Sequence, residues 1–106
     1  YGHIALVVAE PNRKYPQFVI AQVADTVLNM TGIEASFVIC ERPDGLIGIS
    51  ARSQGRINVQ VIMERLGGGG HFSNAAAQLE GTLAEAEEKL KAILQEIEEE
   101  EGLLLE

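Results

Sequence analysis

Three stretches of the chain have the apolar patterns of β-strands. Residues 3–10 form a nearly continuous apolar run, which is typical of a strand covered on both faces. Residues 35–42 and 46–52 are rich in β-branched and other apolar side chains, and the Pro-Asp-Gly sequence at residues 43–45 between them is typical of a tight turn. The pattern therefore predicts one strand followed, later in the chain, by a β-hairpin.

Helical spacing predicts two helices in the first two thirds of the chain. Pro16 suits the first position of a helix, and Gly32 can end it. Asn58 can cap a second, short helix over residues 58–65, which Gly67 would terminate. The apolar residues that recur at helical spacing in the first helix are Ile20, Val23, Val27 and Met30.

The last third of the chain predicts one short element and one long helix. Residues 74–80 are alanine-rich and fit either a strand or a helical turn, and the glycines on both sides favour a strand. Thr82 and Glu85 have the spacing of a capping box at the start of a third helix. Residues 98–106, which begin with four glutamates, are expected to form a frayed tail. The apolar stripe of the third helix comprises Leu83, Ala86, Leu90, Ile93 and Ile97.

These elements together predict an α/β fold with the order β-α-β-β-α-β-α. We expect one mixed sheet of about four to five strands flanked by helices, because strands and helices alternate along the chain. The 106 residues suffice for a single domain, spanning 1–106. Because the sequence begins at Tyr1, we expect this domain to be a fragment of a longer protein.

The distribution of charge is more informative than its sum. The net charge is −8, yet most acidic residues lie after residue 79, and residues 1–79 hold six Lys or Arg and six Asp or Glu. This balance permits a local anion site but does not indicate a broad nucleic-acid surface. No apolar run reaches the roughly 18 to 20 residues of a membrane-spanning helix. The single Cys40 fits a small buried hydrophobe in a reducing compartment.

A run of four glycines followed by His71 is the most unusual feature of the sequence. Without Cβ atoms, residues 67–70 can bring backbone N–H groups close to an oxyanion or a flat base, and His71 adds a directional donor. The run follows a predicted helix and lacks the lysine of a P-loop, so P-loop nucleotide hydrolysis is not indicated. The residues alone leave two interpretations open, a ligand-binding loop and a flexible linker.

Ser50 and Arg52 form a second polar cluster at the end of a predicted strand. Because side chains alternate along a strand, both should project to the same side and could bind one phosphate together. Taken alone, Arg52 also fits an exposed charge at the end of a strand. Its combination with the glycine run favours a binding site.

The chain resembles the DHH-associated domain of the DHH phosphoesterases. The resemblance rests on the sequence Ile-Ser-Ala-Arg-Ser at 49–53, on Asn-Val at 58–59 and on the stretch from the glycine run to Ala-Ala at 66–76. The segments 35–39 and 74–79 are similar to the GdpP-type branch of cyclic-di-AMP phosphodiesterases. The oligoribonuclease branch usually has Lys after the motif histidine, where this chain has Phe72.

This resemblance implies a division of labour between two domains. A separate DHH domain would bind manganese and hydrolyse cyclic-di-AMP to linear pApA, while this domain would bind substrate and be inactive alone. It implies no metal ligand in this chain. We expect a cytoplasmic location, on the cytoplasmic side of any membrane anchor of the parent protein. The substrate-binding residues that the resemblance implies are Ser50, Arg52, Gly68, Gly69, Gly70 and His71, with Asn74 as a further candidate; His71 would stabilise the phosphate or the transition state.

Two other functions remain open. One is a nucleic-acid-binding or exonuclease domain of the oligoribonuclease and RecJ type, which would require a basic surface that the charge distribution does not show. The other is an interaction domain, in which the acidic last helix packs on a partner or on a second copy to form a homodimer. The glycine run and Arg52 favour the phosphodiesterase interpretation over both.

Overall fold

One mixed sheet with helices on both faces makes up the computed structural model, which describes residues 3–101 except for the side chain of Glu101. The α/β class, the order of the seven predicted elements and the five-stranded sheet are confirmed. The short strand β4 was not predicted. The elements are β1 (Ile4–Val8), α1 (Gln17–Leu28), β2 (Ala35–Glu41), β3 (Ile47–Ser53), α2 (Val59–Glu64), β4 (Gly69–His71), β5 (Asn74–Leu79) and α3 (Leu83–Glu101).

The strands follow the spatial order β1-β2-β3-β5-β4. β1 and β2 run parallel, since α1 connects them as a crossover, and all other neighbouring strands are antiparallel. The sheet therefore has two edge strands, β1 and β4. The predicted hairpin is formed by β2 and β3, in which Ala35 lies opposite Ser53 and Glu41 opposite Ile47.

The two faces of the sheet are built from different residues. The face toward α2 and α3, here called the apolar face, belongs to a cluster of nineteen buried hydrophobic residues that includes Phe37, Ile49 and Leu90. The face toward α1, here called the polar face, contributes to a cluster of only four buried residues. These four are Ile20, Ala24, Val38 and Cys40. Burial raises the pKa of the Cys40 thiol, which agrees with its predicted role as a small hydrophobe.

α1 differs in detail from its predicted form. Pro16 is the N-cap with φ −68° and ψ 158°, so the helix begins one residue later than predicted. It ends at Leu28, and Met30, predicted on its apolar side, is 58% exposed because it lies beyond the last turn. The prediction for Val23 is also wrong, because the inner side of the helix is centred on Ile20 and Ala24.

Hydrogen bonds supplement the small apolar contact between α1 and the sheet. The Ser36 hydroxyl, which is fully buried, donates to the Ala24 carbonyl at 2.7 Å. The Gln54 amide donates to the Leu28 carbonyl at 3.1 Å. Polar residues in and directly after the strands thus anchor this helix, because few apolar side chains are available on this face.

α2 has the beginning and the end that the sequence predicted. The Asn58 side chain accepts hydrogen bonds from the backbone N–H groups of Gln60 and Val61. At the other end Gly67 has φ +83°, and the bonds from Gly68 N to Met63 O (2.8 Å) and from Gly67 N to Glu64 O (3.1 Å) form a Schellman motif. This ending directs the chain into the remaining glycines.

The segment that carries β4 also returns to the start of α2. Val59 N donates to Phe72 O at 2.9 Å, immediately after the strand. The glycine-rich segment is therefore hydrogen-bonded to α2 at both of its ends.

α3 begins with the predicted capping box. Glu85 N donates to the Thr82 hydroxyl at 3.1 Å, and Thr82 N donates to the Glu85 carboxylate at 2.9 Å. The buried stripe is Leu83, Ala86, Leu90, Leu94 and Ile97, whereas Ile93, which was predicted, is only partly buried. Of the predicted tail, residues 98–101 belong to the helix, and residues 102–106 lie outside the described part. Within residues 3–101 no helix is both long and apolar enough to cross a membrane.

Candidate functional site

The glycine run forms an edge strand where the sequence predicted a loop. Gly69, Gly70 and His71 make up β4 and pair with Ala76, Ala75 and Asn74 of β5. The turn at Gly67 leads the chain from α2 into β4, and the small side chains of β5 let the glycine backbone approach closely. The segment is therefore part of the sheet and neither a separate loop nor a linker.

Three of the four glycines have a structural requirement. Gly67 has the positive φ that ends α2. A Cβ at Gly68 would collide with the Ala76 carbonyl oxygen, and one at Gly70 would lie 2.5 Å from the Asn74 oxygen. Both obstacles are backbone atoms and cannot move aside.

Gly69 differs from its neighbours. A Cβ there would have no atom within 4 Å, and its φ is not in the left-handed region. Folding alone thus does not explain why this position lacks a side chain. The surface above Gly69 is open.

Strand register aligns three of the predicted site residues in one row on the polar face. Arg52 of β3 lies opposite Asn74 of β5, and Asn74 lies opposite His71 of β4. Directly opposite residues on antiparallel strands project to the same face. Arg52 therefore projects together with two residues from a later part of the chain, and we call these three side chains the Arg52 row.

A second row lies beside the first. Ser50 of β3 is opposite Ala76 of β5, which is opposite Gly69 of β4. Ser50 and Arg52 share a face, as the alternation predicted. The two rows thus contain five of the seven predicted site residues, namely Ser50, Arg52, Gly69, His71 and Asn74. Gly68 precedes β4, and Gly70 lies opposite Ala75, which belongs to the cluster on the apolar face.

Most of the β4 and β5 part of the polar face is solvent-accessible, because α1 lies over β2 and β3. His71, Asn74 and Gln78 are exposed, and Gly69 and Ala76 are half-buried. We call these five residues the open strip. It is a shallow surface, bounded on one side by α1 and on the other by the free edge of β4.

Arg52 lies at the border between the open strip and α1. Its side chain is only 12% exposed, and its Nε donates to the Asp25 carboxylate at 2.7 Å. Its Nη1 donates to the Ala51 carbonyl at 2.9 Å. No described residue accepts a hydrogen bond from Nη2, which leaves that group able to bind an external anion.

Asp25 was missed by the sequence interpretation. It lies 27 positions before Arg52, in the middle of a helix, and no local pattern connects the two residues. The contact orients the guanidinium, since the Nε bond fixes one edge of its plane. Only the fold reveals this partner.

Ser50 lies beneath the surface. It is 1% exposed, and its hydroxyl accepts a hydrogen bond from Gln17 Nε2 at 2.9 Å. Gln17 Oε1 in turn accepts from Arg42 Nη1 at 2.8 Å, and Arg42 pairs with Asp44 at 2.9 Å. The side-chain hydrogen bond between Arg42 and Asp44 lowers the pKa of the aspartate and raises the pKa of the arginine. Direct contact of Ser50 with a ligand stays a prediction.

The arrangement suits the binding of an anion more than a metal. It combines one half-buried guanidinium, an imidazole, an amide and a glycine strand, which can all donate hydrogen bonds. Among residues 3–101, no three His, Cys, Asp or Glu residues form a group that could hold a metal ion. The described residues therefore do not fit a metal centre.

Comparison with known proteins identifies the family. The model of the DHHA1 domain matches residues 3–101. The chain belongs to the DHHA1 domain family. This DHHA1 domain is 58% identical over 89 residues to the cyclic-di-AMP phosphodiesterase GdpP of Geobacillus thermodenitrificans, covering 83% of this chain and 14% of that protein. It is 59% identical over 88 residues to the cyclic-di-AMP phosphodiesterase PdeA of Listeria monocytogenes, covering 82% of this chain and 13% of that protein.

Solved structures confirm the fold of the DHHA1 domain. An exopolyphosphatase-related protein from Bacteroides fragilis matches with a TM-score of 0.78 and 21% identity, over 91% of this chain and 29% of that chain. PggH from Vibrio cholerae, a pGpG-specific phosphodiesterase, matches with a TM-score of 0.58 and 20% identity, over 90% of this chain and 34% of that chain. At these identities the likeness concerns the fold alone.

Proposed function

We propose that this DHHA1 domain is the substrate-binding part of a phosphodiesterase that hydrolyses cyclic-di-AMP to linear pApA. The observation that carries the proposal is the Arg52 row, in which three side chains that can donate hydrogen bonds to an anion project from the polar face, two of them exposed to solvent. Identities of 58% and 59% to cyclic-di-AMP phosphodiesterases support this substrate. In this proposal manganese is bound by a separate DHH domain, and the enzyme acts in the cytoplasm.

Arg52 is the principal phosphate ligand in this proposal. Its free Nη2 donates to a phosphate oxygen, while the Asp25 carboxylate holds the guanidinium in place. A charge-assisted bond of this kind is about twice as strong as a bond between neutral groups. Because Asp25 accepts from Nε and the Ala51 carbonyl accepts from Nη1, Nη2 is the group that stays available among the described contacts.

His71 and Asn74 complete the phosphate site from the neighbouring strands. Their side chains are exposed and lie opposite one another, so both can donate to one phosphate group. Gly69 lets the ligand approach the sheet, because no Cβ covers the strand there. Gly68 and Gly70 contribute indirectly, by allowing β4 to pack on β5.

The domain's chemical contribution is to bind and orient the substrate. Donors held by strands need little rearrangement when an anion binds, so they neutralise its charge and fix its position. Ser50 supports the site from beneath through its bond to Gln17. The bond-breaking step belongs to the separate domain.

Replacement of His71 by alanine tests the proposal. We expect the affinity of the 106-residue chain for cyclic-di-AMP to fall by about tenfold, the equivalent of one charge-assisted hydrogen bond. The measurement is a titration followed by backbone amide NMR, with the melting temperature checked in parallel. Hydrolysis by a protein that carries both domains should fall as well.

The chain provides a matched control in its other histidine. His3 is exposed and contacts the Gly32 carbonyl through Nδ1 at 3.2 Å, away from the Arg52 row. His3→Ala should leave the affinity unchanged. If His71→Ala bound cyclic-di-AMP as tightly as the unmodified chain, the proposed site would be wrong.

A further inference from the structure

Phe18 is a large aromatic residue that the fold does not bury. It lies in the first turn of α1 and is 66% exposed, the highest value among the exposed large hydrophobic side chains of the described residues. Packing within the domain does not account for it. An accessible aromatic side chain beside an anion-binding surface can serve as a platform on which a base stacks.

The neighbours of α1 show which flank of the helix carries Phe18. Val19 and Val23 line a groove together with Val7, on the side of β1. Asp25 contacts Arg52, on the side of β3. Phe18 lies seven residues before Asp25, and seven residues are close to two full helical turns. Phe18 therefore lies on the Asp25 flank, which faces the open strip.

The contacts of Gln17 show how far along the strands Phe18 lies. Gln17 Nε2 donates to the Ile49 carbonyl at 3.2 Å and to the Ser50 hydroxyl at 2.9 Å. Ser50 begins the row that continues through Ala76 to Gly69. Phe18, the next residue of the helix, is thus at about the level of the row of Ala76 and Gly69 along the strands, one row away from Arg52.

The two rows are separated by a distance that fits a nucleotide. They are two residues apart on each strand, which corresponds to about 7 Å. A ribose spans this distance between a phosphate at the Arg52 row and a base at the neighbouring row. The surface beneath that base consists of Gly69, which has no side chain, and Ala76, which has a single methyl group, so little projects from the sheet there.

We propose that Phe18 stacks on the base of the bound nucleotide and holds it above Gly69 and Ala76. This inference rests on the proposed function and adds the residue that recognises the base. Stacking accepts any flat heterocycle, so Phe18 would contribute affinity more than selectivity among bases. Phosphate binding at Arg52 would be independent of it.

Phe18→Trp provides a direct test, because the chain contains no tryptophan. Addition of cyclic-di-AMP should quench the fluorescence of this single indole, whereas ribose 5-phosphate, which has no base, should not. Val23→Trp is the matched control, since Val23 is 38% exposed and lies on the opposite flank. Its fluorescence should not respond to either ligand. An unchanged signal from Phe18→Trp at saturating cyclic-di-AMP would contradict the inference.

Phe18→Ala tests the energetic contribution. The affinity for cyclic-di-AMP should fall by about tenfold, as for the loss of one base-aromatic stack, and Phe18→Tyr should restore it. Binding of ribose 5-phosphate, followed by the amide shifts of residues 69–74, should be the same in all variants. Equal affinity of Phe18→Ala and the unmodified chain for cyclic-di-AMP would overturn the stacking role and leave the proposed function standing. Failure of the unmodified chain to bind either ligand would overturn both.

Discussion

The two faces of the sheet pack against their helices in different ways, although the same strands form both. On the apolar face, side chains from β2, β3 and β5 pack with α2 and α3 in one large hydrophobic cluster. On the polar face, α1 rests on a cluster of four residues and is fixed by hydrogen bonds and by the Asp25–Arg52 ion pair. The apolar face supplies most of the buried hydrophobic surface. The strands are therefore free to present serine, arginine and asparagine on the opposite side.

Alanine substitution of one fully buried residue on each face should test this comparison with the largest effect on the free energy of unfolding. Leu90 and Ile20 are both fully buried, but Leu90 lies within the large cluster, whereas Ile20 borders an open groove. A truncation to alanine costs about 2 to 5 kcal/mol, and the cost depends on how well the site relaxes. In urea unfolding, we expect the loss of stability to be near the upper end of this range for Leu90→Ala and near the lower end for Ile20→Ala. Equal losses would show that the two faces contribute alike.

A pair of glycine substitutions in β4 should separate a glycine that folding requires from one that folding does not require. Gly70→Ala would place a Cβ 2.6 Å from the Ala75 Cα at a φ of +144°, and we expect a loss of about 1 to 3 kcal/mol. Gly69→Ala meets no atom within 4 Å and should change stability by no more than about 0.5 kcal/mol. Thermal unfolding of the two variants measures both changes in stability. A destabilised Gly69→Ala variant would contradict the assignment of Gly69 to the ligand surface.

Loss of one hydrogen bond that fixes α1 should have the smallest effect on the free energy of unfolding. Ser36→Ala removes the bond to the Ala24 carbonyl, and we expect the free energy of unfolding to fall by about 1 kcal/mol. Ser73→Ala, an exposed serine, is the control and should be neutral. The measurement is chemical denaturation of both variants under the same conditions. No loss in Ser36→Ala would mean that polar contacts do not hold this helix.

Elements with local signals were predicted well from the sequence. The Asn58 cap, the Gly67 ending and the Thr82–Glu85 capping box each depend on residues within one helical turn, and all are confirmed. The position of β4 depends on pairing with β5, and glycine has low strand propensity, so no local pattern indicated a strand. The apolar side of α1 was partly wrong because tertiary packing, and not periodicity alone, decides where a helix ends.

The candidate site was less accessible to sequence reasoning than the fold. Alternation placed Ser50 and Arg52 on one face, but nothing local showed that His71 and Asn74 would align with Arg52. The resemblance to DHH-associated domains grouped these residues without explaining their geometry. Asp25 and Phe18 stayed unnoticed because their significance depends on which flank of α1 faces the open strip.

The hydrogen bonds between α2 and both ends of the glycine segment have a thermodynamic consequence. A run of four glycines loses more conformational entropy on ordering than any other sequence of that length. Here Gly68 N donates to Met63 O, and Val59 N donates to Phe72 O. The conformational entropy of the segment is therefore lost when the domain folds and not when a ligand binds. A nucleotide arriving at β4 encounters a strand that is already ordered by these hydrogen bonds, so its affinity is not reduced by the need to organise the segment.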